Sequence, residues 1–364
     1  MKKKNIIQIF ASNTWGGGEL FVFDLTNCLI EDNYKVVCIL RKSKVISEKI
    51  KSKDIEYYQL KLKGVFDFLS ALKLKRIVQK HNIDIIHTHN FKTSITAVYA
   101  KMFLNKNIKI IVSRHLVKKA KTDFIHNWLY KHIDYILFVS DLALEEFLIS
   151  KPKIDKTKLK VIHNSVMPNP SQANTIGIRE SLSLSDQTQI VLFTGRIHKE
   201  KGLDVLIESI YNLKDKDCVL LIAGDGKEDY KAELKEKINH LGIKDKVFFM
   251  GFLNNVSPII KESDFGVCPS IGRESFGLSV VEFMLNGKAV ITTNNGAQKE
   301  YIKDKETGIL IQPNNVMELT NSIELLLTNK DLRESIGQKG KEYFDKELSY
   351  EQFYKKITTI YNNV

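Results

Sequence analysis

The chain is poor in the residues that staple small folds. Its four cysteines, Cys28, Cys38, Cys218 and Cys268, are scattered with no CxxC and no Cys/His cluster. They read as buried thiols in a reducing compartment, which excludes a disulfide frame and a structural zinc site. No apolar run approaches the ~18 residues that a bilayer span requires. Met1-Lys2-Lys3-Lys4 followed by Asn5–Phe10 has the start of a signal peptide, but the apolar stretch is too short and soon meets Asn13 and Gly16. It reads as a first buried strand, and the protein is expected in the cytoplasm. No repeat and no low-complexity tract occurs, so solenoid architectures are excluded. Neither a Walker A loop nor a GxGxxG follows any strand, and nucleotide hydrolysis and dinucleotide oxidoreduction lose support.

What is present is ordinary globular material with an uneven charge. The length of 364 residues points to two domains, and the hydrophobic fraction of 43% is typical of a globular chain. The net charge is +12, and the whole excess sits in the first 170 residues; the remainder is slightly acidic. A one-sided basic field suits nucleic acid, anionic lipid or a phosphorylated substrate. No stacking platform or groove-reading helix accompanies it, so nucleic acid is not an expected partner.

Short β-branched runs alternate with helical stretches throughout, the pattern of parallel sheets built from βαβ units. Strands are expected at residues 6–11, 36–40, 83–87, 108–113, 135–140 and 160–163, then at 190–194, 219–223, 247–250, 265–269, 289–293 and 309–311. Between the two sets lies Met167–Asn174, rich in Pro and Asn, which reads as a linker. The expected fold class is α/β, with two doubly wound Rossmann-like domains facing each other across a cleft. Their expected extents are residues 1–168 and 169–345, with 346–364 a C-terminal helix packing back on the first domain.

Three segments carry candidate chemistry. In Arg273-Glu274-Ser275-Phe276-Gly277-Leu278-Ser279-Val280-Val281-Glu282, two carboxylates flank a loop-to-helix turn. Amides around Gly277 and Leu278 would open the helix, and such an end suits a phosphate. Glu274 and Glu282 would accept hydrogen bonds from hydroxyls on either side. Thr194-Gly195-Arg196-Ile197-His198-Lys199-Glu200-Lys201-Gly202 follows the first strand of the second half. Ligands of open α/β sheets lie beyond strand carboxyl ends, so Arg196 and Lys201 are placed to meet a diphosphate. Ala223-Gly224-Asp225-Gly226 ends the next strand, where a simple Asx-Gly turn accounts for it equally well.

Gly-Arg-x₄-Lys-Gly, then Ala-Gly-Asp-Gly, then Glu-x-Phe-Gly-x₄-Glu together resemble the large retaining glycosyltransferase family 4 of the two-domain GT-B fold. The resemblance covers essentially the whole chain. It implies transfer of a sugar from a nucleotide-sugar donor, with UDP as the expected nucleotide, to a lipid-linked or cell-envelope acceptor. It implies that Arg196 and Lys201 hold the diphosphate, Glu274 the donor sugar and Glu282 the ribose, with Gly224, Phe276, Gly277 and Leu278 lining the nucleotide. Trp15-Gly16-Gly17-Gly18-Glu19 would bring backbone amides to the donor phosphates and the acceptor. His115 matches the family's active-site histidine, and Arg114 beside it would contact an acidic acceptor. No cofactor is implied beyond the donor, and no metal: two cations and helix-end amides supply the field, and no Asp-x-Asp sits at a strand end. A non-hydrolysing nucleotide-sugar epimerase and a catalytically silent nucleotide-sugar-binding subunit are the alternatives.

Other positions are read more plainly. His87 and His89 alternate on one strand face without a third ligand in view, and are expected to be cleft-lining or structural. Ser140 is expected to cap a helix. Ser165 stands where the family usually has Gly, so the turn there is expected to differ in shape. Two basic stretches, 61–80 and 115–132, carry apolar residues at helical spacing. The first is expected to pack on its sheet; the second, through Trp128 and its lysines, is the candidate for contact with an anionic membrane.

Overall fold

The computed structural model describes residues 3–10, 12, 17–41, 44–51, 53–64, 67–104, 106–168 and 177–364. Trp15 and Gly16, and most of the expected linker, lie outside them. Two compact units form: Met1–Asn164 together with Glu351–Val364, and Ser165–Tyr350.

In the first unit the strands are β1 (Asn5–Phe10), β2 (Lys35–Arg41), β3 (Tyr57–Leu60), β4 (Ile85–Thr88), β5 (Lys109–Arg114), β6 (Tyr135–Phe138) and β7 (Leu159–Val161). They make one seven-stranded sheet in the order β3-β2-β1-β4-β5-β6-β7. Every pairing is parallel, as short β-branched strands joined by helices require. The apolar runs of the sequence became its central strands, buried on both faces because helices cover both. β3 was not anticipated. It is a four-residue edge strand, Tyr-Tyr-Gln-Leu, with one buried residue, and so lacks the continuous apolar signal of its neighbours.

The second unit holds β8 (Gln189–Thr194), β9 (Cys218–Ala223), β10 (Val247–Gly251), β11 (Phe265–Cys268), β12 (Val290–Thr293) and β13 (Ile309–Ile311). Its six-stranded sheet runs β10-β9-β8-β11-β12-β13, again with parallel pairings throughout. In each sheet the strand order reverses once, between β1 and β4 and between β8 and β11. Loops at such a switch point splay apart above the strand carboxyl ends and leave room for a ligand.

The last helix, Tyr350–Asn363, joins the first unit although it ends the chain. Its Phe353, Ile357 and Tyr361 are buried, and Tyr361 is entirely enclosed. Ser140 caps the helix Asp141–Leu148 by accepting from the Ala143 N–H at 3.2 Å. Ser165 does not adopt a positive φ; its hydroxyl donates to the Leu348 carbonyl at 2.5 Å, which anchors that turn from its side chain. Cys38, Cys218 and Cys268 are buried free thiols, and Cys28 is half-buried. Among the described residues no helix is long and apolar enough to cross a membrane.

Candidate functional site

The β8/β11 switch point gathers the chemistry of the second unit. After β8 the chain forms a short 3-10 turn, Lys199–Lys201, and after β11 it runs as a loop to Glu274. The two loops are zipped together, because the Glu200 carbonyl accepts from the N–H groups of Ile271 at 2.8 Å and Gly272 at 3.0 Å. That seam carries Lys201 Nζ onto Glu274 Oε1, which also accepts from the Ser270 hydroxyl at 2.5 Å. Both partners are largely enclosed, with a quarter or less of either side chain exposed. The Glu274 backbone is held from the far side as well, its carbonyl accepting from the Ala297 N–H at 3.0 Å. Ser270 escaped the sequence reading; its only signal is a hydroxyl four residues before Glu274.

The helix Leu278–Leu285 starts just beyond, with Gly277 as N-cap at φ 89° and no side-chain cap. Its first amides are therefore left to other acceptors. A Cβ on Gly277 would stand 3.1 Å from Tyr301 Oη, a group already donating to the Phe276 carbonyl at 2.6 Å. Tyr301 thus braces the loop from Phe276 to Gly277, and Phe276 is itself buried against its ring. Glu282 sits over a turn into this helix. Its carboxyl makes no side-chain hydrogen bond among the described residues, and burial pushes its pKa up to about 7.

Arg196 and Gly224 differ from the cluster. Arg196 is exposed and makes no ion pair among the described residues, so its guanidinium is not committed to the protein. Gly224 has a plain steric cause: a Cβ there would lie 1.8 Å from the Gly195 carbonyl oxygen. The glycine lets the ends of β8 and β9 approach backbone to backbone. Asp225 pairs with Lys231 at 2.7 Å and accepts from the Gly226 N–H, an Asx-type turn.

In the first unit, Gly17 and Gly18 open the helix Gly17–Glu31. Among the described residues nothing lies within 4 Å of a Cβ placed on Gly18. His115 follows β5, its ring edge-on to Phe21 of that helix at 5.7 Å and stacked with His89 at 5.8 Å. Burial pushes the His115 pKa down to about 4, so it stands as a neutral imidazole. Its Nε2 is shielded and has no partner among the described residues. Leaving such an atom unpaired costs on the order of 1–3 kcal/mol, a cost that a donor group from a substrate would remove.

His87 lies in β4 and His89 just past its end, on the same side as their alternation predicts, with ring centroids 4.2 Å apart. Both nitrogens of His87 are engaged, Nδ1 with Tyr361 Oη at 2.6 Å and Nε2 with Ser113 Oγ at 2.8 Å. Arg114, the residue expected to meet an acidic acceptor, is engaged within its own unit. Its guanidinium lies over the Phe147 ring at 5.0 Å and donates to the Lys118 and Lys119 carbonyls. These bonds shape the loop after His115, and its Nε has no partner among the described residues.

Each of the two basic stretches divides its apolar residues between the core and the surface. The helix Phe68–Lys80 of the first packs into the core through Leu74, Ile77 and Val78, as expected, while Leu69 at 76% and Leu72 stand exposed; Phe66 lies outside the described residues. In the second, Trp128 is half-buried between Tyr99 and His132, whereas Phe124 at 86% and Leu116 at 58% stand open. Lys118, Lys119 and Lys121 are exposed beside them.

Comparison with known proteins gives this geometry a context. Residues 15–169 match the model described as Glycosyltransferase Family 4, and residues 175–343 that described as Glycosyl transferases group 1. A Campylobacter jejuni relative, N-acetylgalactosamine-N,N'-diacetylbacillosaminyl-diphospho-undecaprenol 4-alpha-N-acetylgalactosaminyltransferase, is 26% identical over 289 residues, 76% of each chain. The structure of a glycosyltransferase from Rickettsia africae superposes with a TM-score of 0.89 at 23% identity, covering 100% of this chain and 99% of that one. Anabaena HepE in complex with UDP gives 0.86 at 18% identity, over 99% of this chain and 100% of that one. Two family models together span nearly the whole length of the chain, and the chain belongs to glycosyltransferase family 4; its GT-B fold is shared with the solved glycosyltransferase structure.

Proposed function

We propose that the protein transfers a sugar, with retention of anomeric configuration and without a metal ion, from a UDP-sugar to a lipid-linked or cell-envelope saccharide. The observation that carries this reading is the Lys201–Glu274–Ser270 cluster beside the uncapped helix end at Gly277. An ammonium, free helix amides and an uncommitted guanidinium at Arg196 form a field for a diphosphate. As the anomeric bond stretches, charge builds on the leaving phosphate, and these groups stabilise it more than they do the ground state. Glu274, held by Ser270, takes donor sugar hydroxyls; Glu282 takes the ribose. Gly17 and Gly18 give amides to the substrate phosphates, and His115, neutral and with a nitrogen unpartnered among the described residues, takes a sugar hydroxyl. The acceptor's proton passes to the donor phosphate on the same face, so no protein nucleophile is assigned. The UDP complex of HepE supports the choice of nucleotide.

The open Phe124, Leu116 and Leu69 with their lysines support an acceptor presented at an anionic membrane surface. Each lysine near such a surface contributes about 1 kcal/mol, and the aromatic adds apolar insertion. The undecaprenol-linked substrate named for the Campylobacter relative is of the same class.

The test is a screen of UDP-, GDP- and ADP-sugars for thermal stabilisation, followed by turnover with EDTA present. Stabilisation by a UDP-sugar and an axial anomeric product from an axial donor are expected. Turnover that EDTA abolishes, or an inverted product, contradicts the reading.

A further inference from the structure

Behind the histidines of the first unit runs a single hydrogen-bonded chain whose direction is fixed by one amide. Gln8 of β1, His87 of β4 and Tyr361 of the last helix are all fully buried. Gln8 Nε2 donates to Tyr361 Oη at 3.1 Å, and Tyr361 Oη lies 2.6 Å from His87 Nδ1. A phenol has one hydrogen, so with Gln8 donating to its oxygen, Tyr361 gives its proton to His87 Nδ1. His87 then carries its hydrogen on Nε2 and donates to Ser113 Oγ. On the other side, Gln8 Oε1 is 2.8 Å from His89 Nε2. An amide oxygen only accepts, so His89 is the Nε2–H tautomer and its Nδ1 is a bare lone pair.

That lone pair has no partner among the described residues. The atom is shielded from solvent, on a partly buried ring stacked at 5.8 Å on His115, whose Nε2 is likewise shielded and unpartnered. Burial holds both rings far below the usual histidine pKa, so neither becomes a donor of both protons near neutrality. His89 stands at the β1/β4 switch point, where the topology leaves room for a ligand. What this nitrogen can take is an uncharged O–H or N–H donor.

We propose that Tyr361 is a positioning residue which, through Gln8, locks His89 with Nδ1 as an acceptor for a hydroxyl of the saccharide substrate. The choice of a saccharide rests on the glycosyl transfer proposed above. Gln8 provides the coupling: turning its amide over would reverse every bond in the chain and make His89 Nδ1 a donor. Reversal would leave a buried N–H at His89 Nδ1 with no acceptor among the described residues, and the Tyr361 hydroxyl supplies the acceptor that holds the Gln8 Nε2 side of the amide in place.

The experiment uses the full chain with 15N-labelled histidine, and glucose, galactose and N-acetylglucosamine as probes. The wild type is expected to show His89 as the Nε2–H form and to shift its Nδ1 resonance with at least one hexose. Tyr361→Phe keeps the ring and removes the hydroxyl. It is expected to mix the His89 tautomers and to weaken hexose binding about fivefold, with UDP binding unchanged. Gln8→Met, which removes the coupling amide, is expected to do the same and guards against one variant failing to fold. A wild-type His89 protonated on Nδ1, an Nδ1 signal indifferent to all three hexoses, or variants that lose stability with the tautomer unchanged would each overturn the proposal. UDP release from UDP-sugars is read separately. A chain that shows the hexose-dependent shift and releases no UDP supports the His89 assignment and contradicts glycosyl transfer.

Discussion

Lys201 and Glu274, 73 residues apart in the chain, form an ion pair at the strand ends where the second sheet changes direction. The carboxylate is shared with Ser270, so its orientation is set before any ligand arrives. A lysine already paired in this way meets a diphosphate with part of its charge answered. Glu274→Gln is therefore expected to keep or tighten binding of free UDP while lowering sugar transfer by about 100-fold or more. Lys201→Ala is expected to weaken UDP by about tenfold and to leave Glu274 enclosed without its cation, at a stability cost of about 1–3 kcal/mol. Isothermal titration with UDP, set beside turnover, separates the two; equal loss of UDP affinity in both variants contradicts this division of labour.

Arg196 is expected to behave differently, because it is exposed and has no ion-pair partner among the described residues. Arg196→Ala should leave the melting temperature of the free chain within about 0.5 kcal/mol of equivalent stability. It should abolish most of the thermal protection given by UDP. Unaltered protection removes Arg196 from the phosphate site.

Glu282 gives a pH dependence with a definite sign. Its folded pKa is raised to about 7, above the ordinary ~4.3 of the unfolded chain. The folded state therefore binds the extra proton between these values, and stability falls as pH rises from about 4.3 to 7, then levels off. Glu282→Gln is expected to flatten that fall, a difference of about 1–3 kcal/mol in urea titrations above pH 7. If the carboxylate takes the ribose hydroxyls, UDP affinity rises through the same pH range. Affinity flat across it contradicts the ribose role.

Gly277 tests the helix opening by sterics alone. At φ 89° an alanine is strained, and its methyl would press on Tyr301 Oη at 3.1 Å and Gln298 Cγ at 3.2 Å. Gly277→Ala is expected to cost about 1–3 kcal/mol in denaturant unfolding and to weaken UDP with it. An alanine variant as stable as the wild type would show that this turn is freely adjustable.

The basic apolar face gives a salt-dependent prediction. Cosedimentation with anionic vesicles should fall as salt rises, and Phe124→Ser should lower binding at every salt concentration. Replacing Lys118, Lys119 and Lys121 by serine should instead flatten the salt dependence. No binding at low salt rejects a membrane role.

Much of the fold was legible because parallel strands buried on both faces are written as local apolar runs. β1, β2, β5, β8, β9 and β13 each follow such a run to within a residue or two. β3 was not legible, since an edge strand exposes half its residues and needs no apolar signature. The helix start at Gly277 could be read because glycine and its φ are local matters. The steric reason for Gly224 could not be read, because it is the carbonyl of Gly195, a neighbour only in space. Trp128 and Phe124 show the same limit: both suit an exposed or a packed stripe, and the ring of Tyr99 decided for Trp128.

The sequence by itself determined two parallel α/β sheets, the turn glycines and the family, for these rest on periodicity and on motifs within a few residues of each other. The tertiary structure decided which groups meet. Lys201 reaches Glu274 only because β8 and β11 are adjacent, and Tyr361 orders His87 only because the last helix returns to the first unit. Such contacts depend on strand order and on packing across long stretches of chain, where the gain is the burial of whole faces and no local pattern records the partner.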